Sequence, residues 1–200
     1  MRAALAIPGC DGLEFDVRTS RDGVPVLLHD ATLQRVQGVA AGVDELDAAA
    51  LAGYQVPTLE AVLRASGDAF LDVELKTTPA PAFIDILEAA RGGAAGEPLR
   101  RVAISSFHGA ILDWVRERRP AWTRWLNARD LSPRTVDGAT ELGCEAVAVA
   151  WQSIDRRGMQ RAATAGLAVA AWTVRRRPTY ERLARLGVTA ICVEAAALDG

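Results

Sequence analysis

Two pairs of charged residues stand one residue apart inside apolar runs. They are Glu14 and Asp16 in Gly-Leu-Glu-Phe-Asp-Val, and Glu74 and Lys76 in Leu-Asp-Val-Glu-Leu-Lys. On a β-strand this spacing sends both members of a pair to the same side of the sheet. Turned inward, they bring three carboxylates and one ammonium into a single interior. Like charges held there repel and do not stay ionised without compensation. A hard divalent cation is the usual compensator, and an oxygen-only donor set suits Mg²⁺ or Ca²⁺. His29 closes the run Val-Pro-Val-Leu-Leu-His-Asp. A histidine at a strand end beside carboxylates is placed to move protons near neutral pH.

Each residue also has a plain structural reading. A lone inward carboxylate is more often an ion-pair partner, and Lys76 could be that partner for Glu74. A lone histidine at a strand end is more often incidental, and Asp30 more readily caps a turn than catalyses. The combination carries the weight, because a core built from this many charges would be costly.

These residues need strands to hold them. Short apolar runs predict strands over Gly12–Val17, Val24–His29, Phe70–Leu75, Val102–Ser105, Thr123–Asn127, Ala146–Ala150, Leu167–Val174 and Thr189–Glu194. With no helix between them, the first two are expected to form one long bent element. Helical patterns fall over Thr58–Ser66, Pro81–Arg91, Ala110–Arg118, Pro133–Leu142, Asp155–Ala165 and Pro178–Leu186. Gly143, Gly166 and Gly187 stand where a glycine ends a helix. Strands alternating with helices imply an α/β fold with parallel βαβ units. The strand count is seven, one short of a TIM barrel. No GxGxxG or GxxxxGK[ST] pattern is present, which lowers a nucleotide-binding reading.

The chain of 200 residues is half hydrophobic, 24% charged and carries a formal net charge of −2. That is one globular domain's worth of core, over residues 1–200, and no basic field for nucleic acid. Lys76 is the one lysine among 23 basic side chains, so a compact ammonium is kept where arginine is the habit. Cys10, Cys144 and Cys192 are an odd, dispersed set, which argues against a disulfide framework or zinc site. Cys144 and Cys192 are expected in the core. No run approaches a membrane helix, and the cytoplasm is the expected compartment.

The stretch from Gly12 to Arg35 resembles the glycerophosphodiester phosphodiesterase family, with an E-x-D pair, a D-G turn and a strand ending in H-D. Val56–Glu60, Val73–Lys76, Ile104–Phe107 and Ala171–Val174 match later segments of that family in order and spacing. The resemblance implies a TIM (β/α)₈-type barrel and cleavage of a glycerophosphodiester to glycerol 3-phosphate and an alcohol. It implies that Glu14, Asp16 and Glu74 bind a divalent metal, Mg²⁺ or Ca²⁺. It implies that His29 is one of two catalytic histidines, that Lys76 contacts the phosphate, and that Trp172 walls the glycerol or alcohol moiety.

The sequence departs from that family in three places. The opening H-R-G strand and the P-E-N-T start of helix one have no match, and Met1–Pro8 resembles the end of that helix. The expectation is therefore an N-terminally truncated barrel, impaired in activity and prone to self-association through open sheet edges. Arg175 stands where the family has Asn, and Glu194 where it has Asp. Arg175–Arg177 are expected in a solvated loop. The competing readings are a non-catalytic barrel that binds phosphodiester or metal, and a phospholipase D-like relative.

Overall fold

Alternation along Gly12–Thr19 (β1) puts Phe15 and Val17 on a buried face and Glu14 and Asp16 on the other. Phe70–Leu75 (β3) lies parallel beside β1, with Asp72 opposite Glu14 and Glu74 opposite Asp16. The computed structural model describes residues 2–94 and 96–194. Within the chain two compact units are defined, Met1–Ile104 with Glu117–Trp122, and Ser105–Arg116 with Thr123–Gly200.

In the first unit, β1 turns back on itself. Pro25–Leu27 (β2) pairs antiparallel with Val17–Thr19, so the two runs form a hairpin and not the single bent element expected from sequence. The reversal is made by side chains. Ser20 Oγ donates to Asp22 Oδ1 at 2.6 Å and accepts from Val24 N at 3.0 Å, while Gly23 takes φ +80°. The strand order here is β2-β1-β3-β4, where β4 is Val102–Ser106 and crosses the border between the units. Gly12 is required by this pairing, since a Cβ there would lie 2.3 Å from the carbonyl oxygen of Phe70.

Arg2–Leu5 (α1) precedes β1, and two short helices follow the hairpin, Gln34–Gln37 (α2) and Ala48–Gly53 (α3). They are too short to show a helical period in sequence. Leu51 of α3 joins Val26, Leu33, Val43 and Val56 in a small core, to which α2 adds no buried residue. Leu59–Ser66 (α4) starts on Thr58, whose hydroxyl accepts from Ala61 N at 3.2 Å. Ala82–Arg91 (α5) ends on a buried arginine that donates to Ala69 O at 3.0 Å and Ser66 Oγ at 2.9 Å. Those acceptors tie α5 to the end of α4 and satisfy a charge that burial would otherwise penalise.

The second unit repeats strand and helix. Gly109–Arg118 (α6) follows β4, then come Arg124–Ala128 (β5), Pro133–Glu141 (α7), Ala146–Ala150 (β6), Arg156–Thr164 (α8), Ala168–Val174 (β7), Arg177–Arg185 (α9) and Ala190–Val193 (β8). β5, β6, β7 and β8 pair in parallel in that order. Ser132 and Asp155 cap α7 and α8 by accepting from Thr135 N and Gly158 N. Gly143, Gly166 and Gly187 take φ of 62°, 75° and 84° just past α7, α8 and α9, as their spacing predicts. Val147, Val149, Val169, Ala171 and Val174 fill a core closed by Leu131, Val136, Ala162 and Leu183. Cys144 is buried in it, whereas Cys192 is only half-buried. No helix among the described residues is long and apolar enough to cross a membrane.

Candidate active site

In the first unit, Glu14, Asp16 and Glu74 each offer a carboxylate oxygen, and these atoms lie within 4.8 Å of one another. Two adjacent strands make this cluster. The parallel register of β1 and β3 sets Asp16 directly beside Glu74, and the two-residue period returns Glu14 to the same side. Asp72 falls on that side too, opposite Glu14. It is a residue that the sequence reading passed over, although it continues the spacing Asp72, Glu74, Lys76.

Lys76 enters the cluster as its counter-charge. Its Nζ lies 2.8 Å from Asp16 Oδ1 and also donates to Glu74 Oε1. Burial alone would lower the ammonium's pKa, but the hydrogen bonds to Asp16 and Glu74 outweigh it and hold Lys76 above its ordinary value. Glu74 is 8% exposed. Its pKa is raised by burial, with the lysine pulling the other way. The Glu14 carboxyl is pushed up to about 8, by burial first and then by Asp16, Asp72 and Glu74. Glu14 as a residue keeps an exposed side, so water reaches it and moderates that shift. One ammonium among four carboxyls leaves the cluster short of positive charge. Its donors are all hard oxygens, a set that fits Mg²⁺ or Ca²⁺.

His29 follows β2 and is exposed, so its ring is open to solvent. Nδ1 sits 2.7 Å from Asp30 Oδ1. Asp30 is in turn gripped by Arg35, with Nε on Oδ2 at 2.5 Å and Nη2 on Oδ1 at 3.1 Å. Hydrogen bonds from Arg35 and then from His29 hold the Asp30 carboxyl down at about 2. An ionised carboxylate only accepts, so Nδ1 carries the proton and Nε2 is left free to exchange one. The backbone beneath is pinned as well, since Arg18 donates to His29 O from Nε at 3.1 Å and Nη2 at 2.9 Å. A protonated His29 acts on Glu74 in the lowering direction, which places the ring within electrostatic reach of the cluster. Asp30 therefore does more than shape a turn. Its partner Arg35, and Arg18 beneath, gave no sequence signal beyond their nearness in the chain.

The second unit places its own polar and aromatic residues at the ends of β6 and β7. Trp172 is half-buried, with Nε1 donating to Ala148 O at 3.0 Å and the ring edge-on to Phe107 at 5.6 Å. Trp151 directly follows β6, and it and Trp172 line one cavity in this unit. Arg175 and Glu194, the two departures noted in the sequence, pair with each other at 2.9 Å. Arg175, Arg176 and Arg177 are exposed, as expected for that loop, but Arg177 is also paired with Glu181. His108 is exposed at the start of α6, and its backbone N donates to Ser106 Oγ at 3.2 Å.

A model of the glycerophosphoryl diester phosphodiesterase family matches residues 1–198. The chain is 33% identical over 144 residues to a Mycobacterium tuberculosis protein named "Probable glycerophosphodiester phosphodiesterase 2", covering 60% of this chain and 54% of that one. It thus spans about half the length of the curated relative it matches. A phosphodiesterase from Oleispira antarctica, solved in complex with the product sn-glycerol-3-phosphate, shares its fold with a TM-score of 0.80 at 22% identity, over 92% of this chain and 81% of that one. A glycerophosphodiester phosphodiesterase from Thermotoga maritima does so with a TM-score of 0.79 at 20% identity, over 96% of this chain and 84% of that one. The α/β fold of the TIM-barrel class expected from the sequence is the fold shared with these structures.

Proposed function

Because the chain belongs to the glycerophosphoryl diester phosphodiesterase family, we propose that it cleaves glycerophosphodiesters to glycerol 3-phosphate and an alcohol with the help of a divalent cation. The observation that carries this reading is the approach of Glu14, Asp16 and Glu74 to within 4.8 Å, with Lys76 among them. The capture of sn-glycerol-3-phosphate by the Oleispira protein supports the same product here.

Glu14, Asp16 and Glu74 would hold Mg²⁺ or Ca²⁺. When bound, that cation neutralises phosphate charge and acidifies an attacking hydroxyl or water. Lys76 presents a compact ammonium to a phosphate oxygen and stays charged, because its two carboxylate partners hold its pKa up. The reaction forms one P–O bond at the attacking oxygen and breaks the P–O bond to the alcohol. A proton must leave the attacker and one must reach the departing oxygen. His29 Nε2 serves at one of those oxygens, since Asp30 fixes Nδ1. Trp172, pinned by its indole N–H, supplies an apolar wall for the alcohol or glycerol carbons.

Turnover by this chain is slow in our reading. It carries two histidines, His29 and His108, and the H-R-G motif implied by the family resemblance is not among its 200 residues. One observation favours a second reading, a non-catalytic phosphodiester- or metal-binding protein: Lys76 pairs with both Asp16 and Glu74 and so supplies them with a cation of the protein's own. The outer edge of β8 has no neighbouring strand among the described residues, and we propose it as a route to self-association. We propose a reducing compartment such as the cytoplasm, since the three cysteines are an odd set widely dispersed along the sequence.

The test is hydrolysis of glycerophosphocholine with Mg²⁺ or Ca²⁺ added, beside calorimetric metal binding. Metal-dependent release of glycerol 3-phosphate that is lost in His29→Ala supports the enzyme. Metal binding through Glu14 and Glu74 with no release at any concentration supports the binding protein.

A further inference from the structure

In the second unit, β5, β6 and β7 run parallel, so the connections leaving their C-terminal ends share one end of that sheet. Those three connections and the first turns of α7, α8 and α9 hold seven arginines against two aspartates. The whole chain carries a formal charge of −2, so this rim opposes the molecule's overall sign.

The positive charge there is open. Arg129, Arg134, Arg156, Arg157 and Arg176 are exposed, and among the described residues their side chains have no hydrogen-bond or ion-pair partner. Arg175 pairs with Glu194 and Arg177 with Glu181, but both pairs are exposed and therefore weak. The two aspartates are used at helix starts. Asp130 Oδ1 accepts from Ser132 N at 2.9 Å, and Asp155 Oδ1 accepts from Gly158 N at 2.7 Å. Asp137 comes only after the first turn of α7.

A second feature falls at the same end. Four large hydrophobic side chains stand exposed among the described residues, and two of them, Phe107 and Tyr180, belong here at 43% each. Tyr180 closes the first turn of α9, and Phe107 packs edge-on against Trp172 near the end of β7, at 5.6 Å. Guanidinium forks match phosphate oxygens, and exposed aromatic rings settle at the headgroup level of a bilayer. The arginines are spread over three separate connections. An extended array of phosphates meets them together, whereas an acidic peptide would follow only one of them and give the aromatic rings nothing to enter.

We propose that this rim docks the protein on the surface of an anionic lipid bilayer, with the arginines on headgroup phosphates and Phe107 and Tyr180 at the headgroup level. No residue of the carboxylate cluster and no metal takes part.

The experiment is co-sedimentation of the full chain with vesicles, in EDTA and without substrate. Phosphatidylcholine vesicles containing about one-third phosphatidylglycerol should bind at least about tenfold more tightly than phosphatidylcholine alone, and about 0.5 M NaCl should remove the difference. Arg129→Gln combined with Arg156→Gln should weaken binding about twentyfold, since each arginine near an anionic surface contributes about fivefold. Both side chains are exposed and unpartnered among the described residues, so the fold tolerates their loss. Arg64→Gln combined with Arg185→Gln removes the same charge from exposed positions outside these connections and should leave binding within about threefold. Equal losses in the two double variants, equal binding to the two kinds of vesicle, or binding that survives the salt overturns the proposal. Capture of poly-glutamate in preference to vesicles also overturns it and gives the rim to an acidic protein. Turnover without vesicle binding leaves the enzyme reading standing and sinks this one, and vesicle binding without turnover does the reverse.

Discussion

The two units follow one plan of parallel strand and helix, yet they place polar residues differently. In the first, the polar residues are inside the strands. β1 and β3 carry Glu14, Asp16, Asp72 and Glu74 on one side while Phe15, Val17, Leu71 and Val73 pack on the other. In the second, β6 reads Ala-Val-Ala-Val-Ala and β7 Ala-Val-Ala-Ala-Trp-Thr-Val, and four of five β6 residues are buried. β6 and β7 carry no charged residue, and the chain turns charged directly after β7, at Arg175 and Arg176. The first unit thus gives up apolar strand surface to set a fixed charge cluster. β6 and β7 in the second keep their apolar surface for the core, and the loop after β7 carries the charge. A rigid strand fixes positions more tightly than a loop, so the first unit's charges are the more firmly placed.

That contrast can be broken by substitution. Glu74→Gln should lower metal-dependent turnover by about a thousandfold or more. It should change unfolding free energy by no more than about 1 kcal/mol. Steady-state rates with chemical denaturation check both, and a large loss of stability would show that the cluster is structural. His29→Ala should lower kcat by about a hundredfold or more, with metal affinity unchanged in calorimetry. In the second unit the pattern should invert. Leu183 is fully buried in its core, so Leu183→Ala should destabilise by about 2–5 kcal/mol. Turnover per folded molecule should stay the same, and a parallel fall in kcat would erase the distinction.

The smallest effect sharpens the contrast. In EDTA, Glu14 is held protonated up to about 8 and Glu74 is shifted the same way. Between the ordinary carboxylate range and about 8, the unfolded chain therefore binds fewer protons than the folded one, and stability falls as pH rises. The depressed carboxyls, Asp30 at about 2 with Asp22, Asp47 and Asp130, act below that window. Thermal unfolding at pH 5 and pH 8 should show the drop, and Glu14→Gln should shrink it. An equal drop in that variant would place the titrating group elsewhere.

Much of the first unit's cluster was legible because it depends on local periods. Glu14 with Asp16, and Glu74 with Lys76, declare a shared side through spacing alone, and the parallel pairing of β1 and β3 follows from strand–helix alternation. The hairpin was not legible. It turns on hydrogen bonds among Ser20, Asp22 and Val24, which a hydrophobic pattern does not register. The helices α2 and α3 are shorter than the window a periodicity needs. Arg175 and Glu194 each looked like an isolated departure, because a contact between residues 19 apart in sequence leaves no local trace. Asp30 was read from its residue type, whereas its role comes from Arg35 and His29 closing around it.

Lys76 has a consequence beyond contact with a substrate. By standing between Asp16 and Glu74 it serves as a tethered placeholder ion. A protein so equipped can be synthesised, matured and stored where free divalent ions are scarce, since its most charged region already has a resident cation. On the metal-binding reading proposed above, loss of the ion would cost activity and not survival, and resupply would restore an intact pool without new translation.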